Sequence, residues 1–272
     1  MKRFWLGTLS LFVVGVASAQ VPSVPDGGVV SAATFAPGQA VAPGSVVAIF
    51  GSNLTDTLAN AGSIPLSTSL ATVSATFNGV PAALFGVFPG TLAQINAQVP
   101  WDALPQGVAA GSVSLVVTKN GASSAPTVVQ LQQAEPGIFT LNQQGTGQGA
   151  VTNVTGNAFV APAGSIPGAL SQPARIGDFI VIYATGLGPV DLPPANGDIP
   201  RNGLTHTLTT PTILIGGVPQ NVSFSGLNGF FVGLYQINVQ ILPGTPTGDA
   251  VPIQIQMGNI TSTDRVTIAV SQ

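Results

Sequence analysis

Hydrophobic residues along this chain come in short runs, each bounded by glycine or proline. The clearest runs are rich in valine, isoleucine, threonine and phenylalanine, and they occupy residues 45–50, 113–118, 179–183 and 251–257. Runs of this kind between turn-forming residues are typical of β-strands. No window of about a dozen residues keeps a helical period without a glycine or proline inside it. The pattern therefore predicts an all-β protein.

The chain also repeats itself. Three pairs of segments match: 43–54 with 176–187, 78–81 with 216–219, and 94–96 with 236–238. The second pair reads Asn-Gly-Val-Pro and Gly-Gly-Val-Pro, and Asn-Gly and Gly-Gly are residues that tolerate the positive φ of a tight hairpin. Two copies of about seven short strands predict two tandem immunoglobulin-like β-sandwich domains.

The repeat sets the predicted domain boundaries. Residues 29–133 form the first domain and residues 134–272 the second. The second domain begins with a proline- and glycine-rich segment, 134–175, which we expect to contain a hairpin and a long loop. Residues 20–28, broken by two prolines, are predicted to be a flexible tail.

The segment before this tail has the anatomy of a secretory signal. Lys2 and Arg3 give a positive start, residues 4–16 are almost entirely apolar, and residues 17–19 read Ala-Ser-Ala. This apolar run is shorter than the roughly 20 residues that span a bilayer. We therefore expect a signal peptide of residues 1–19 that is cleaved, no transmembrane segment, and a product that is secreted, periplasmic or at the cell surface.

Several motifs carry a resemblance to known sequences, and they lie in segments 32–35, 43–45, 49–54, 135–139, 183–188 and 233–238. Through these segments the chain resembles immunoglobulin-like repeats of the IPT/TIG type and, more closely, a family found at the C-termini of large secreted proteins of soil acidobacteria, the Solibacter-type C-terminal domain. The resemblance implies an immunoglobulin-like fold and export, and it implies no catalytic residue.

Composition narrows the function. Only 6% of the 272 residues are charged, the net charge is −3, and there is no cysteine. So few basic residues do not provide the electrostatic footprint of a nucleic-acid-binding protein. The absence of cysteine excludes disulfide frameworks, zinc–thiolate sites and thiol chemistry.

Candidate catalytic residues are sparse. His206 is the only histidine and Glu135 the only glutamate. Nucleophilic catalysis needs a nucleophile beside a base, and a glycosidase needs two carboxyl groups in different environments. We expect His206 to lie in an exposed loop or strand. The prediction is a non-enzymatic protein with no catalytic residue and no cofactor.

A calcium site is one further hypothesis. Asp191 and Asp198 offer two carboxylates in one loop, and calcium takes oxygen ligands from loops. Aspartate is equally expected in turns, where its side chain bonds nearby backbone amides. Both interpretations stay open at this point.

Three aromatic residues are candidates for ligand binding. Trp101 follows a strand end, and Phe230 and Phe231 lie in a glycine-rich stretch. Two adjacent residues of a regular strand point to opposite faces, so at least one of the two phenylalanines is predicted to be exposed or at the domain interface. Packing in a core or between domains is the alternative role for each ring.

These observations favour a non-enzymatic, exported interaction or adhesion module whose partner is a protein or polysaccharide at the cell surface. A carbohydrate-binding module that stacks sugars on the exposed aromatic residues is the first alternative. A structural spacer formed by the two domains is the second.

Overall fold

The computed structural model describes residues 20–105, 107–154, 157–263 and 265–272. The predicted signal peptide, residues 1–19, lies outside these ranges. The described residues form strands, bridges and turns and contain no helix, which confirms the prediction of an all-β protein. Within the described ranges, no helix has the length and apolar character needed to cross a membrane.

The first half of the chain folds into two sheets that face each other. Its strands are β1 (Val29–Ser31), β2 (Val46–Gly51), β3 (Ala59–Asn60), β4 (Val73–Phe77), β5 (Val80–Pro81), β6 (Ala83–Phe88), β7 (Ala93–Gln98), β8 (Ala110–Lys119), β9 (Ala122–Ser123) and β10 (Thr127–Gln132). One sheet has the order β1-β2-β7-β6-β3 and the other β10-β8-β4-β5, with β9 paired to β8. Apolar residues from both sheets, among them Ile49, Phe77, Ile95 and Leu115, form one buried core.

The second half has the same layered arrangement. Its strands are β11 (Gly137–Ile138), β12 (Gly147–Gln148), β13 (Val151–Asn153), β14 (Ala158–Val160), β15 (Ser171–Gln172), β16 (Ala174–Arg175), β17 (Phe179–Thr185), β18 (Thr212–Ile215), β19 (Val218–Pro219), β20 (Asn221–Leu227), β21 (Tyr235–Gln240), β22 (Gly248–Met257), β23 (Ile260–Thr261) and β24 (Val266–Ser271). One sheet runs β15-β14-β13-β17-β21-β20, with β11 paired to β17. The other runs β12-β24-β22-β18-β19, with β16 paired to β24 and β23 to β22. A second buried core lies between them.

The two halves share one strand order. In the first, β2 pairs with β7 and β7 with β6, while β8 lies between β10 and β4. In the second, β17 pairs with β21 and β21 with β20, while β22 lies between β24 and β18. The matching segments 43–54 and 176–187 contain β2 and β17, and the segments 94–96 and 236–238 lie in β7 and β21. The third pair, 78–81 and 216–219, forms turns and the short strands β5 and β19. The periodicity of two in the burial of the strands explains the layers, because alternate side chains point into the core.

Two segments differ from expectation. The predicted flexible tail is bound to the first half: Ser23 and Ser52 exchange backbone hydrogen bonds of 3.0 and 2.9 Å, and Thr127 Oγ1 donates to Val24 O at 2.8 Å. Segment 134–175 contains the expected hairpin, β13–β14, but its other short strands join both sheets of the second half. The composition of these two segments does not predict that their backbones pair with the edge of a sheet formed by other parts of the chain.

Candidate interaction surface

The loop between β20 and β21, residues 228–234, is held in one conformation by Asn228. This residue is buried, its Oδ1 accepts a 2.9 Å hydrogen bond from the Phe230 amide, and its Nδ2 donates to Gln236 Oε1 at 3.0 Å. Its own amide donates to Leu234 O at 2.8 Å. An asparagine that bonds the backbone two residues onward is a common way to fix a turn. The loop therefore has a defined shape without help from a ligand.

Phe230 and Phe231 project from this loop into solvent. Their exposed fractions are 78% and 63%. The prediction that at least one of the two is exposed is confirmed. Leu204 is also exposed, and the hydrogen bond of 3.2 Å from the Leu227 amide to Thr205 O places residue 204 beside the start of the loop.

The other end of the loop lies against the first half of the chain. A Cβ added to Gly233 would lie 2.8 Å from Gly44 O, so the two backbones are in close contact. Thr185 Oγ1 donates to Gly233 O at 2.9 Å and accepts a 3.0 Å hydrogen bond from the Val46 amide. Loop 228–234 is thus fixed at the junction of the two halves.

Trp101 also lies at this junction, on the other side of Gly44. A Cβ on Gly44 would lie 2.3 Å from the Trp101 ring, which is only half-exposed and packs against the core of the second half. The Trp101 amide donates to Asn196 Oδ1 at 2.8 Å, and no described residue accepts a hydrogen bond from its buried Nε1. Since Gly44 covers the ring, Trp101 joins the two halves and does not share the open surface of the two phenylalanines.

A cavity of about 300 Å³ borders Trp101. Its walls are mainly apolar and come from both halves: Pro43, Trp101, Leu104, Pro105, Gly107, Val108, Gln133, Pro189 and Leu208. Glu135, two residues after Gln133, is half-buried, and this burial raises the pKa of its carboxyl. A hydrogen bond from the Gln132 side chain lowers the same pKa by a smaller amount. The junction is therefore mostly apolar with few ionisable groups.

The two aspartates proposed for calcium have different partners. Asp198 forms a 2.8 Å ion pair with Arg201, whose hydrogen bond is the main reason that the pKa of this carboxyl is lowered. Asp191 accepts from the His206 amide at 2.8 Å and lies 3.2 Å from its Nδ1. No group of three or more metal-ligating side chains occurs among the described residues. Each of the two carboxylates thus has a partner within the protein, and the calcium site at Asp191 and Asp198 stays a hypothesis.

His206 is exposed, and its ring makes two contacts. Besides Asp191, it meets the Phe224 ring edge-on, with ring centroids 5.5 Å apart. Within the described part of the chain, no serine or threonine hydroxyl is hydrogen-bonded to this imidazole. A nucleophile–histidine–aspartate arrangement is therefore not assembled around it.

Sequence reasoning missed a repeated row of amide side chains. Gln94 and Asn96 of β7, and Gln236, Asn238 and Gln240 of β21, alternate with core residues and are partly exposed on the outer faces of their sheets. Gln98, the next residue of the alternation in β7, is fully buried, donates to Gly44 O at 3.3 Å and accepts from the Gly197 amide at 2.7 Å. In β7, Gln94 Nε2 donates to Asn96 Oδ1 at 2.6 Å, and in β21, Gln236 Nε2 donates to Asn238 Oδ1 at 3.0 Å. The Gln-x-Asn-x-Gln alternation was the signal that could have identified these rows.

Aromatic residues flank both amide rows. Phe50 and Phe88 are the cross-strand neighbours of Gln94. Tyr183 is the neighbour of Gln236, and Phe224 that of Asn238. Each half therefore presents uncharged hydrogen-bonding groups between half-exposed rings.

Comparison with known proteins gives only distant similarity. No protein-family model and no curated protein matches the chain. SGBP-B of the Bacteroides ovatus mixed-linkage glucan utilization locus, solved in complex with a mixed-linkage heptasaccharide, is similar with 14% identity and a TM-score of 0.33. This match covers 94% of the present chain and 48% of SGBP-B, so the chain spans about half of that protein's length.

Two further structures have lower scores. An endo-fucoidan hydrolase of glycoside hydrolase family 107 has 10% identity and a TM-score of 0.16, covering 86% of this chain and 28% of that one. Domains 5-6 of the S-layer protein SbsC have 13% identity and a TM-score of 0.20, covering 92% of this chain and 98% of that one. The functional argument therefore depends on the residues of the chain itself.

Proposed function

We propose that this chain is an exported, non-enzymatic interaction module of two tandem immunoglobulin-like domains that binds a partner at the cell surface through the loop of residues 228–234. The observation that carries the proposal is the exposure of two adjacent phenylalanines on a hydrogen-bonded loop. The N-terminal sequence, with its basic start and apolar run, supports export. The shared strand order of the two halves supports the tandem arrangement.

The physical reason lies in the free energy of burying the two rings. A phenylalanine buries about 150–250 Å² when it is covered, and large aromatic side chains dominate the binding energy of many interfaces. Because Asn228 already fixes the loop, little conformational entropy is lost when a partner covers it. Phe230 and Phe231 together with Leu204 form an apolar patch of the kind that marks contact sites.

Carbohydrate binding is a second candidate, favoured by a different observation. The amide rows of β7 and β21 combine neutral donors and acceptors with neighbouring aromatic rings. A neutral polysaccharide presents hydroxyl groups for hydrogen bonds and apolar sugar faces for stacking. The Trp101 ring is partly exposed and borders the cavity at the junction, whereas Phe230 and Phe231 are the more exposed rings for this function.

A purely structural spacer is not favoured. That function would be supported by a junction that buries every large aromatic side chain. Phe230 and Phe231 adjoin the junction and are exposed, so their position is better explained by a contact with another molecule.

The test is a binding assay on polysaccharides and intact cell surfaces. We expect the Phe230→Ala and Phe231→Ala double variant to lose at least about tenfold in affinity, the loss that about 1.4 kcal/mol represents. Leu58→Ala is the matched control, because Leu58 is also a well-exposed apolar residue. Leu58 comes after the C-terminal end of β2, whereas Gly44, which contacts the loop, precedes the N-terminal end of the same strand. Unchanged binding by the double variant would remove the loop from the proposed function. Loss of binding in Gln94→Ala instead would favour the amide rows, because Gln94 belongs to the row of β7 and its side chain bonds Asn96 and not the loop.

A further inference from the structure

Lys119 occupies an unusual environment for a lysine. It is the only lysine among the described residues, it ends β8, and only 7% of its surface is exposed. Its Nζ donates to Asn53 Oδ1 at 2.5 Å and to Asp56 Oδ1 at 2.7 Å. A buried lysine is costly unless its charge is paired, and here the partners are one amide and one carboxylate.

Asn53 and Lys119 come from opposite sheets. Asn53 follows β2 in the first sheet, Lys119 ends β8 in the second, and they are separated by 66 positions in sequence. Leu54, directly after Asn53, is fully buried. Asn120 Nδ2 donates to Asp56 Oδ2 at 3.4 Å. Core packing and these hydrogen bonds hold the three groups together.

The equivalent positions of the second half lack this chemistry. In the hairpin β22–β23, Met257 pairs with Ile260 as Lys119 pairs with Ala122 in β8–β9. In the sequence repeat, Gly186 stands where the first half has Asn53. The fold therefore forms without a lysine or an asparagine at these positions. The presence of Lys119, Asn53 and Asp56 together in the first half is better explained by a chemical role than by the needs of the fold.

We propose that Lys119 and Asn53 become joined by an intramolecular isopeptide bond, with Asp56 as the proton relay. A C=O bond is about 1.23 Å long, so Nζ lies at most about 3.7 Å from Cγ of Asn53. This distance is close to the roughly 3–3.5 Å of a near-attack arrangement. Such a bond is a covalent modification that joins the two sheets of the first half.

The reaction balances without an oxidant or a cofactor. The Lys119 ammonium gives one proton to the Asp56 carboxylate, 2.7 Å away, and the resulting amine attacks Cγ of Asn53. A bond forms between Nζ and Cγ, and the bond between Cγ and Nδ2 breaks. The Asp56 carboxyl relays two protons to the departing nitrogen, which leaves as ammonium, and Asp56 ends as a carboxylate. Because Asp56 is open to solvent, the ammonium has a route out.

Peptide mapping of the purified full-length chain tests the proposal. The bond removes ammonia, about 17 Da, and converts Lys119 into a residue that trypsin does not cleave. We expect a denatured tryptic digest to contain one peptide that continues through Lys119 to Arg175, about 17 Da below its sequence mass. Fragmentation should show that Asn53 and Lys119 are linked.

Matched variants separate this bond from other losses of ammonia. A new N-terminal glutamine that cyclises and an Asn-Gly step that forms a succinimide lose the same mass, but both leave cleavage after Lys119 intact. Asn53→Gly, which copies Gly186, and Asp56→Ala should restore cleavage after Lys119. Asn78→Gly is the control, because Asn78 shares the positive φ of Asn53 and lies in another turn, so cleavage should stay blocked.

The outcomes are distinct. Complete cleavage after Lys119 in the unmodified chain overturns the proposal. A deficit of about 17 Da that fragmentation still locates at Asn53 in Lys119→Met, the variant that copies Met257, also overturns it. Blocked cleavage that persists in Asp56→Ala removes Asp56 from the reaction.

Discussion

The two halves of this protein place different chemistry on one backbone plan. After β2 and after β17 the chain turns through a residue with positive φ, which is Asn53 at 57° in the first half and Gly186 at 76° in the second. At the end of β8 and β22, the buried residue is Lys119 in one half and Met257 in the other, exposed by 7% and 6%. The same turn and the same depth of burial thus accommodate a reactive group or an inert one. Strand pairing fixes where side chains meet and leaves their chemistry free.

The junction shows a second asymmetry between the halves. Gly44 precedes β2, and Gly177 precedes β17 at the matching place. Gly44 lies against Trp101, whereas a Cβ added to Gly177 meets nothing within 4 Å. Only the first half uses this glycine for close contact, although both glycines have positive φ.

The largest effect is expected from alanine at these two glycines. Gly44→Ala adds a clash with Trp101 to the strain of positive φ, and should lower the free energy of unfolding by about 2–4 kcal/mol. Gly177→Ala adds only the strain and should cost about 1–2 kcal/mol. Urea unfolding of both variants measures the difference. Equal losses would mean that the Trp101 contact contributes nothing beyond the turn itself.

An intermediate effect is expected at alkaline pH, and only from the second half. Both tyrosines lie there, and burial raises the pKa of the Tyr235 phenol, whereas Ala93 occupies the matching position in the first half. The unfolded phenol ionises near pH 10 and the folded one stays neutral. Stability is therefore complete below about pH 10 and falls above it by up to about 1.4 kcal/mol per pH unit.

Tyr235→Phe tests this effect. The variant loses the hydrogen bond from the phenol to Gly188 O, which should cost about 1–3 kcal/mol at neutral pH. It should also lose stability less steeply than the original chain between pH 9 and 11, as measured by urea midpoints. An unchanged alkaline slope would assign the loss to other groups.

The smallest effect is expected at the Asp191–His206 pair. The His206 amide is the main cause of the lowered pKa of Asp191. The contribution of this contact to stability is fully present at pH values above the ordinary pKa of an aspartate, and it disappears as the pH falls through the lowered pKa of Asp191. The contribution is small because both side chains are exposed. An NMR titration of the His206 amide should show an acidic midpoint below the ordinary aspartate value, and this acidic midpoint should be absent in Asp191→Asn. A midpoint at the ordinary value would contradict the contact.

Most of the architecture could be predicted from local pattern. Alternating apolar positions identified β8 and β22, and the repeated Gln-Ile-Asn placed β7 and β21 in corresponding positions. The adjacency of Phe230 and Phe231 predicted that at least one of them is exposed or at the domain interface, and the structure exposes both. These features depend on neighbours in sequence, where periodicity and turn chemistry act directly.

Contacts across the fold could not be predicted in the same way. The meeting of Lys119 with Asn53 requires the register of two sheets, and no local pattern encodes it. The packing of Trp101 against the core of the second half depends on how one half rests on the other. The partners of Asp191 and Asp198 depend on the path of a loop with few regular hydrogen bonds, so their carboxylates could equally have been assigned to a metal.

The glycine-rich junction has a consequence for the environments in which the protein works. Each ion pair between described side chains, Lys119–Asp56, Arg201–Asp198 or His206–Asp191, lies within one half, and none joins the two. The halves are held by backbone contacts, the indole ring and hydrogen bonds, of which two, from Asn196 Nδ2 to Asp102 and from Gln132 Nε2 to Glu135, end on a carboxylate. Because neither carboxylate is in an ion pair with a described side chain, charge screening acts only weakly on these contacts. Their association should therefore be equally firm in dilute fresh water and in concentrated brine.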